Sequence, residues 1–194
     1  MLGQSAVLDI LRECGAYLDG HFRLTSGLHS PHYIEKFRVL ERPEFAGLLC
    51  KELARRFEQD RVDVVLGPAV GGIIIAYEVA RVLGCRAMFA EREGGRLCLR
   101  RGFEIGAGER VLVVEDIVTT GGSVLEVIEL VESSPGALVG IGLLVDRSGG
   151  RVSFKARTEV LAALDIPTYS PDACPLCSAG IPLTQRGSRG LGQS

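Results

Sequence analysis

The sequence predicts an α/β fold in which a central parallel sheet is flanked by helices. Short runs of Val, Leu and Ile alternate along the chain with longer segments whose apolar residues recur at helical spacing. The short runs are continuously apolar, as strands are when both faces of a parallel sheet are covered. Turns with Gly or Pro follow several runs. Because ligands of such sheets bind beyond the carboxyl ends of the strands, these turns are the candidate binding loops.

Composition places the chain among ordinary globular proteins. It has 194 residues, of which 46% are hydrophobic and 24% charged, enough for one domain with a small subdomain. The net charge of -2 provides no basic field for nucleic acid, and no apolar run is long enough to span a bilayer. The N-terminus has no basic run followed by an apolar stretch, as a signal peptide would have. We therefore expect a cytoplasmic protein without nucleic-acid or membrane partners.

The first 60 residues are expected to form two helices around a polar segment. Ser5 is a candidate cap for the first helix, because the apolar residues after it recur at helical spacing. Residues 21–33 are rich in Ser, Gly, His and Pro, which predicts turns or a short hairpin. Pro43 is expected to begin a second helix that continues over residues 44–57.

Beyond residue 60, strands and helices alternate. The predicted strands cover residues 62–66, 86–90, 111–114, 138–145 and 166–169. The predicted helices cover residues 73–83, 122–131 and 158–164. The tail over residues 185–194, rich in Gly, Ser and Arg, is expected to be mobile.

The strongest functional signal is the segment 111–123, Val-Leu-Val-Val-Glu-Asp-Ile-Val-Thr-Thr-Gly-Gly-Ser. Its apolar strand ends in two carboxylates, Glu115 and Asp116, and a polar turn leads into a helix. The N–H groups of a Gly-containing turn at a helix N-terminus form an anion site, to which the hydroxyls of the turn add donors. Carboxylates suit sugar hydroxyls or a hydrated divalent cation instead. A buried strand before a helix capped by Ser123 would explain the turn but not the acidic pair.

This segment resembles the phosphoribosyl-pyrophosphate (PRPP) signature of type I phosphoribosyltransferases, and the chain as a whole resembles the orotate-specific enzymes among them. Residues 22–27, Phe-Arg-Leu-Thr-Ser-Gly, together with 30–33, are similar to the segment with which these enzymes cover the orotate ring. Residues 67–72, Gly-Pro-Ala-Val-Gly-Gly, resemble their diphosphate-binding loop. Arg147, directly after an aspartate, resembles the arginine that faces the orotate carboxylate. Alone, the loop could be an ordinary Gly/Pro turn and Arg147 a surface arginine.

The resemblance implies the type I phosphoribosyltransferase fold with a small hood, built from the N-terminal segment and with the C-terminal segment as a second candidate. It implies a glycosyltransferase of pyrimidine nucleotide (UMP) biosynthesis that converts PRPP and orotate into orotidine 5'-monophosphate and diphosphate. Mg²⁺ would be held through the substrate, with no side chain assigned as a metal ligand, and the enzyme would be a homodimer. The residues expected to bind PRPP are Glu115, Asp116, Ile117, Val118, Thr119, Thr120, Gly121, Gly122, Ser123, Ala69, Val70 and Gly71. Those expected to bind orotate are Thr119, Arg147, Ser26 and Tyr33.

The segment 91–110 is long and polar, and its arginines are candidates for closing over the diphosphate. In the family, this region is a mobile catalytic loop donated across a dimer interface. The family's loop usually carries lysines and a histidine, which are absent here. The candidate catalytic residues are therefore Asp116, Glu115, Arg92 and Arg100. The alternative is a surface hairpin that turns at residues 94–95.

Cys174 and Cys177 form a Cys-x-x-Cys pair near the C-terminus. A structural zinc site needs four ligands, so the pair alone favours a tight turn with two packed thiols able to oxidise. A zinc ion shared across a dimer stays open. The three histidines, His21, His29 and His32, lie in one segment without an ordered ligand set. Turn or base-pocket histidines are therefore favoured over a transition-metal site.

Two other functions fit the same residues. One is phosphoribosyl transfer to a purine or to uracil, which lack the carboxylate that Arg147 would bind. The other is a PRPP-sensing regulator without catalysis, which usually carries a basic nucleic-acid-binding segment not seen here. The expected organisation is an N-terminal helix and hood region over residues 1–60, a PRPP-binding core over 61–170, and a C-terminal segment over 171–194.

Overall fold

The computed structural model describes residues 2–185 of the chain. The tail that is expected to be mobile lies outside the described residues, except for Gln185. The strands are β1 (Tyr17–Arg23), β2 (His29–Ile34), β3 (Val64–Pro68), β4 (Arg86–Glu93), β5 (Arg96–Leu99), β6 (Arg110–Val118), β7 (Ala137–Asp146), β8 (Thr158–Ala163) and β9 (Thr184–Gln185). The helices are α1 (Gln4–Glu13), α2 (Phe37–Leu40), α3 (Pro43–Arg55), α4 (Gly71–Leu83), α5 (Gly122–Glu132) and α6 (Pro175–Ser178), with a 3-10 turn at Pro171–Ala173.

A six-stranded sheet in the order β5-β4-β3-β6-β7-β8 forms the centre of the molecule. All neighbouring strands are parallel except β5, which pairs antiparallel with β4 at one edge. Side chains alternate between the two faces, so Val65 packs with α1, α3 and α4, whereas Val64 and Leu66 pack with α5. Both faces are therefore covered, which confirms the predicted fold class and explains why the strands are continuously apolar.

A second sheet of three strands forms the hood. β1 lies in the middle, antiparallel to β2 and parallel to the short β9. One further bridge joins His29 of β2 to Tyr169 of the C-terminal segment. The N-terminal and C-terminal segments thus build the hood together, and the polar segment 21–33 is the hairpin that its composition predicts.

Three local predictions were wrong. Residues 158–164, predicted as a helix, instead form β8, because they complete the sheet by pairing with β7 over Thr158–Ala163. Residues 166–169 form no strand beyond the bridge at Tyr169, since Pro167 lacks an N–H for a ladder. Ser5 lies inside α1, whose N-cap is Gly3, and no side chain caps that helix.

The organisation of the first 60 residues also matters for the site. α1 and α3 pack on the six-stranded sheet, whereas β1 and β2 form the hood above it. The three domain ranges expected from the sequence stay a prediction. Within residues 2–185, no helix is both long and apolar enough to cross a membrane.

Candidate active site

Three predicted binding segments meet at one edge of the central sheet. β3, β6 and β7 are neighbours and parallel, so their carboxyl ends lie side by side. The loop that contains Ala69 and Val70 follows β3, the turn from Thr119 to Gly121 follows β6, and Arg147 directly follows β7. The backbone N–H of Arg147 donates to the carbonyl oxygen of Val118 at 2.8 Å, which holds the last two loops together.

The turn after β6 presents uncommitted hydrogen-bond donors. The backbone N–H groups of residues 119–123 donate to no group among residues 2–185, and neither do the hydroxyls of Thr119, Thr120 and Ser123. Thr119 and Thr120 are exposed. Because α5 begins at the end of this turn, its dipole adds positive potential at the same place. The turn therefore has the construction of a phosphate site.

Gly121 gives this turn its shape. Its φ is +77°, the left-handed region that residues with a Cβ rarely adopt. A Cβ at this position would also lie 2.8 Å from Cγ1 of Val152, so a side chain would not fit. Three residues earlier, Val118 buries its side chain in the core, and Ile117 is half-buried. Their expected PRPP contacts can therefore come only from the backbone for Val118 and stay a prediction for both.

The acidic pair is buried at the end of β6. The side chains of Glu115 and Asp116 belong to residues that are only 8% and 2% exposed. Local amides hold them, since the N–H of Asp116 donates to Oε1 of Glu115 at 3.0 Å and that of Ile117 donates to Oδ1 of Asp116 at 2.6 Å. No backbone N–H within the described part of the chain donates to Oδ2 of Asp116, whose close partner there is the ammonium of Lys36. A carboxylate oxygen with one such partner can accept a further hydrogen bond from a ligand.

Lys36 is a site residue that the sequence reasoning missed. Its Nζ lies 2.8 Å from Oδ2 of Asp116 and donates a hydrogen bond to Oδ1 at 3.1 Å. Lys36 sits between β2 and α2, so it links the hood to the acidic pair. The only available signal was its position directly after the hood segment, in a chain with three lysines.

Burial gives Glu115 an unusual proton affinity. Desolvation, together with the neighbouring Asp116, raises the pKa of the Glu115 carboxyl from 4.5 to about 8. Close to neutral pH Glu115 therefore retains its proton. A cation or a set of hydroxyl donors brought by a ligand would favour its release.

We expect Glu115→Gln to stabilise the protein at alkaline pH. The folded state binds the Glu115 proton more tightly than the unfolded state, so this carboxyl favours folding below about pH 4.5 and loses that contribution as pH rises towards about 8. Gln is neutral throughout, so the variant should exceed the wild type by about 2–4 kcal/mol in free energy of unfolding above pH 8, with little difference near pH 5. Urea unfolding across this pH range measures both. Glu132→Gln, at the exposed end of α5, is the control and should follow the wild-type profile; equal behaviour of Glu115→Gln would contradict the assignment.

The loop after β3 approaches the acidic pair closely. The peptide bond between Ala69 and Val70 is cis, and the N–H of Ala69 donates to the carbonyl oxygen of Ala90 at 2.7 Å. Val70 is exposed at the tip of the loop. A Cβ added to Gly71 would collide with Oδ2 of Asp116. The absence of a side chain at Gly71 therefore lets the diphosphate-loop candidate and the acidic pair share one site.

Gly71→Ala is expected to lower turnover by about 100-fold, because the new methyl group displaces the Asp116 carboxylate and a shift of about 1 Å at a reacting centre has effects of this size. Gly47→Ala is the matched control. Gly47 lies within α3, where a Cβ would meet only Oε2 of Glu78 at 3.9 Å, so turnover should stay at the wild-type value. Steady-state kinetics checks both variants. A Gly71→Ala enzyme of normal turnover would show that the close approach is not needed.

Arg147 and Tyr33, both expected to bind orotate, come together across the two sheets. Burial lowers the pKa of the half-buried Arg147 guanidinium, and the nearby Tyr33 opposes this shift. No carboxylate among residues 2–185 forms an ion pair with Arg147. A partly buried cation without a counter-ion is suited to an anionic ligand.

Ser26 lies in the turn of the β1–β2 hairpin. The turn is closed by backbone hydrogen bonds between Leu24 and Leu28 and between Gly27 and Leu24, and Ser26 itself is exposed. The structure places Ser26 on the hood without a contact to Arg147, so its role in orotate binding stays a prediction.

The candidate arginines of segment 91–110 lie on a surface hairpin, as the alternative interpretation predicted. β4 and β5 pair through a turn at residues 94–95, and Leu97 is buried beneath them. Arg92 forms an ion pair with Glu126 of α5 at 2.8 Å, and Arg100 lies 3.4 Å from Glu93. Within the described residues neither arginine contacts the acidic pair, so the structure does not bring these two predicted catalytic residues into the site of the same chain.

Comparisons with known proteins agree with this geometry. Residues 39–158 match the phosphoribosyl transferase domain family. The chain is 53% identical over 188 residues to the orotate phosphoribosyltransferase of Desulforamulus reducens, covering 97% of this chain and 98% of that protein. It is 50% identical over 185 residues to the orotate phosphoribosyltransferase of Thermotoga maritima, covering 95% and 99% of the two chains.

Solved structures show the same architecture. The crystal structure of orotate phosphoribosyltransferase from Aeropyrum pernix is similar with a TM-score of 0.69 and 28% identity, over 81% of this chain and 93% of that one. The adenine phosphoribosyltransferase of Rhodothermus marinus shares the fold, with a TM-score of 0.65 and 20% identity over 82% and 99% of the two chains. The fold alone therefore does not distinguish one base from another.

Proposed function

This chain belongs to the phosphoribosyltransferase family, and on that premise we propose that its site transfers the phosphoribosyl group of PRPP to orotate. The products are orotidine 5'-monophosphate and diphosphate, as in pyrimidine nucleotide biosynthesis. The observation that carries the choice of base is the half-buried guanidinium of Arg147, which pairs with no carboxylate among residues 2–185 and lies beside Tyr33 at the sheet edge that also holds the phosphate turn. Relatives that are named orotate phosphoribosyltransferases support the same activity, because they align with nearly the whole chain at about 50% sequence identity.

PRPP is proposed to lie along the carboxyl edge of the sheet. The uncommitted amides and hydroxyls of residues 119–123 bind its 5-phosphate, and the loop of Ala69, Val70 and Gly71 binds its diphosphate. The ribose hydroxyls, which are donors, lie against Glu115 and Asp116. Oδ2 of Asp116 supports this arrangement, because beside its contact with Lys36 it can accept a further hydrogen bond where the two loops converge.

Orotate is proposed to lie between the sheet edge and the hood. Its carboxylate accepts a pair of hydrogen bonds from Arg147, and Tyr33 of the hood and Thr119 of the phosphate turn border the ring. Bond formation joins the ring nitrogen to C1 of the ribose while the bond from C1 to diphosphate breaks; the diphosphate leaves with the bonding electron pair, and the nitrogen releases its proton to solvent. A cation on the carboxylate eases that loss, because it stabilises the anionic form of the base.

Catalysis depends mainly on position and charge. Glycosyl transfer passes through a transition state with positive charge on the sugar, so the carboxylates beside the ribose stabilise it more than the ground state. Lys36, paired with Asp116, fixes the orientation of that carboxylate and connects it to the hood, because it lies two residues after β2.

The acidic pair also fits Mg²⁺, which prefers oxygen ligands and is usually held by one or two carboxylates together with substrate phosphates. Glu115 and Asp116 would hold it at the ribose side, and the ion would neutralise charge on the departing diphosphate. Because Lys36 already pairs with Asp116, the substrate oxygens would supply most of the ligands.

The working form is proposed to be a cytoplasmic homodimer. None of the six cysteines forms a disulfide, as is usual in a reducing compartment. Large apolar residues are exposed beside the diphosphate loop, namely Val70, Ile74 and Tyr77, which is consistent with a covered surface. In a dimer, the hairpin that carries Arg92 and Arg100 can serve the partner's site, which accounts for its distance from the acidic pair of its own chain.

A mixing experiment tests whether the hairpin acts across the dimer. The Asp116→Asn and Arg100→Ala enzymes should each be at least about tenfold slower than the wild type when tested alone. When equal amounts are unfolded and refolded together, the mixture should recover about a quarter of wild-type activity, because half the dimers are mixed and each mixed dimer contains one intact site. Asp116→Asn mixed with Gly71→Ala is the control and should recover nothing, since both changes lie in the same site. No recovery despite demonstrated mixed dimers would place Arg100 outside the partner's site.

The activity itself is tested by following orotate consumption with PRPP and Mg²⁺. We expect consumption in step with orotidine 5'-monophosphate formation, and loss of both when a chelator removes the divalent cation. A folded protein that binds PRPP but consumes no orotate would contradict the proposal.

A further inference from the structure

Two histidines of the hood and two cysteines of the C-terminal segment converge on one point, away from the PRPP site. His21 lies on β1, His29 on β2, Cys174 is the N-cap of α6, and Cys177 lies within that helix. One potential ligand atom from each of the four lies within 4.8 Å of the other three. The third histidine of the hood is not part of this group, since His32 pairs with Asp19 at 2.7 Å.

Three of the four short contacts among these ligand atoms fit a tetrahedral metal centre, and the contact between the two histidine nitrogens is slightly shorter. Nε2 of His21 lies 3.0 Å from Nδ1 of His29, 3.5 Å from Sγ of Cys174 and 3.7 Å from Sγ of Cys177. Sγ of Cys177 lies 3.3 Å from Nδ1 of His29. Around a zinc ion with nitrogen at about 2.0–2.1 Å and sulfur at about 2.3 Å, tetrahedral geometry places neighbouring ligand atoms about 3.3–3.8 Å apart.

The tautomer of His21 is set for metal binding. Its Nδ1 lies 2.8 Å from the carbonyl oxygen of Ile181, which can only accept a hydrogen bond. Nδ1 therefore carries the proton, and in the neutral ring Nε2 presents a lone pair to the cluster. Metal-bound histidines are usually oriented by this kind of contact from the other ring nitrogen. Without a metal, the lone pair of Nε2 can accept only one hydrogen bond, although three polar atoms surround it. A central cation would instead bind one ligand atom from each of the four residues.

We propose that His21, His29, Cys174 and Cys177 form a structural Zn²⁺ site within one chain. Thiolate and imidazole ligands favour zinc over a hard cation such as Mg²⁺, which prefers oxygen ligands. Binding displaces the two thiol protons to solvent, and the two thiolates then balance the charge of the ion. His21, His29 and Cys174 are all buried, so four protein ligands leave no open position for catalysis. Cys177, at the exposed rim, marks the route of entry.

From sequence, the Cys-x-x-Cys pair favoured a tight turn with two packed thiols. A zinc site replaces that interpretation of the two thiols. The pair does form a tight turn, since the N–H of Ser178 donates to the carbonyl oxygen of Cys174. The missing two ligands come from the hood of the same chain, about 150 residues earlier, so no second chain is needed to complete the set.

The site would fasten the C-terminal segment to the hood. That segment has little else to hold it, because Ile181 and Leu183 are exposed and β9 contributes two residues to its sheet. Metal ligation is a common substitute for a core in small or loosely packed units. Since β2 also carries Tyr33, loss of the ion is expected to loosen the surface that borders the base, raising KM for orotate more than KM for PRPP.

The test is metal analysis of the full chain, purified under reducing conditions without a chelator or a histidine tag. We expect about one zinc per chain in the wild type and a loss of most of it in Cys177→Ser, whose exposed position favours correct folding. Cys98→Ser is the matched control, since Cys98 is a partly exposed cysteine on β5 outside the cluster, and should keep its zinc.

A second readout does not depend on the metal content after purification. Reduced protein stripped of metal should bind one Co²⁺ with the visible bands of a tetrahedral site and the near-ultraviolet bands of thiolate ligation, and Zn²⁺ should displace it. Added Zn²⁺ should raise the melting temperature of the wild type and not that of Cys177→Ser. No Co²⁺ or Zn²⁺ binding by the reduced wild type, or equal metal loss in Cys98→Ser, would overturn the site. Neither readout involves PRPP or orotate, so it stands apart from the proposed activity.

Discussion

Asp116→Asn is expected to lower the turnover number by about 100- to 1,000-fold while the fold is retained, the range seen when one electrostatic contact to a transition state is removed. Asn has nearly the same shape as Asp and can still accept the hydrogen bond from the N–H of Ile117. What it lacks is the negative charge that we propose to lie beside the sugar, and the ion pair with Lys36. The effect should therefore appear in kcat, with a smaller change in KM for PRPP.

Two further variants make this result specific. Asp9→Asn, on the exposed side of α1, is the control and should leave kcat unchanged. Lys36→Met should also slow the enzyme, and Asp116→Asn combined with Lys36→Met should be less damaging than the product of the single effects, because the two residues act as a pair. Near-normal kcat in Asp116→Asn would remove the carboxylate from the catalytic account.

Arg147→Ala is expected to lower kcat/KM for orotate by about 100- to 1,000-fold, because two charge-assisted hydrogen bonds to one carboxylate are lost from a partly desolvated site. KM for PRPP should change little. Arg147→Lys keeps the charge but not the paired donors, so its defect should be intermediate. Parallel titrations of orotate and PRPP by steady-state kinetics separate the two effects.

Arg151→Ala is the matched control for this prediction, since Arg151 is an exposed arginine four residues later in the same loop. Added guanidine should partly restore orotate use by Arg147→Ala, because a small cation can enter the vacated position. Equal losses for orotate and for PRPP, or a comparable defect in Arg151→Ala, would mean that Arg147 supports the loop rather than the base.

The fold could be predicted largely because a parallel sheet leaves a strong imprint on sequence. Strands buried on both faces are continuously apolar, and helices between them carry one apolar stripe. The prediction for residues 158–164 failed because their composition favours a helix, whereas pairing with β7 completes the sheet and makes them a strand. Seven residues are too few for periodicity to separate the two states.

The candidate site, like the fold, could be predicted only in part from the sequence. The phosphate turn and the acidic pair are contiguous in sequence, so their chemistry could be read directly from residues 111–123. Lys36 lies 80 residues before its partner Asp116, and only the folded hood brings them together. The same holds for His21 and Cys174, which are 153 residues apart. Single residues that meet across the fold carry no local pattern, which is why the sequence left them unassigned.

The most direct measurement is diphosphate release from PRPP and Mg²⁺ in the presence of orotate, uracil, adenine, guanine, hypoxanthine or xanthine, each tested alone. Because Arg147 provides the unpaired cation for a carboxylate, we expect release with orotate and none above background with the other bases. Release with one of the other bases would keep the PRPP site and contradict the assignment of Arg147. Silence with all six bases, while PRPP still raised the melting temperature, would contradict catalysis and indicate a PRPP-binding regulator.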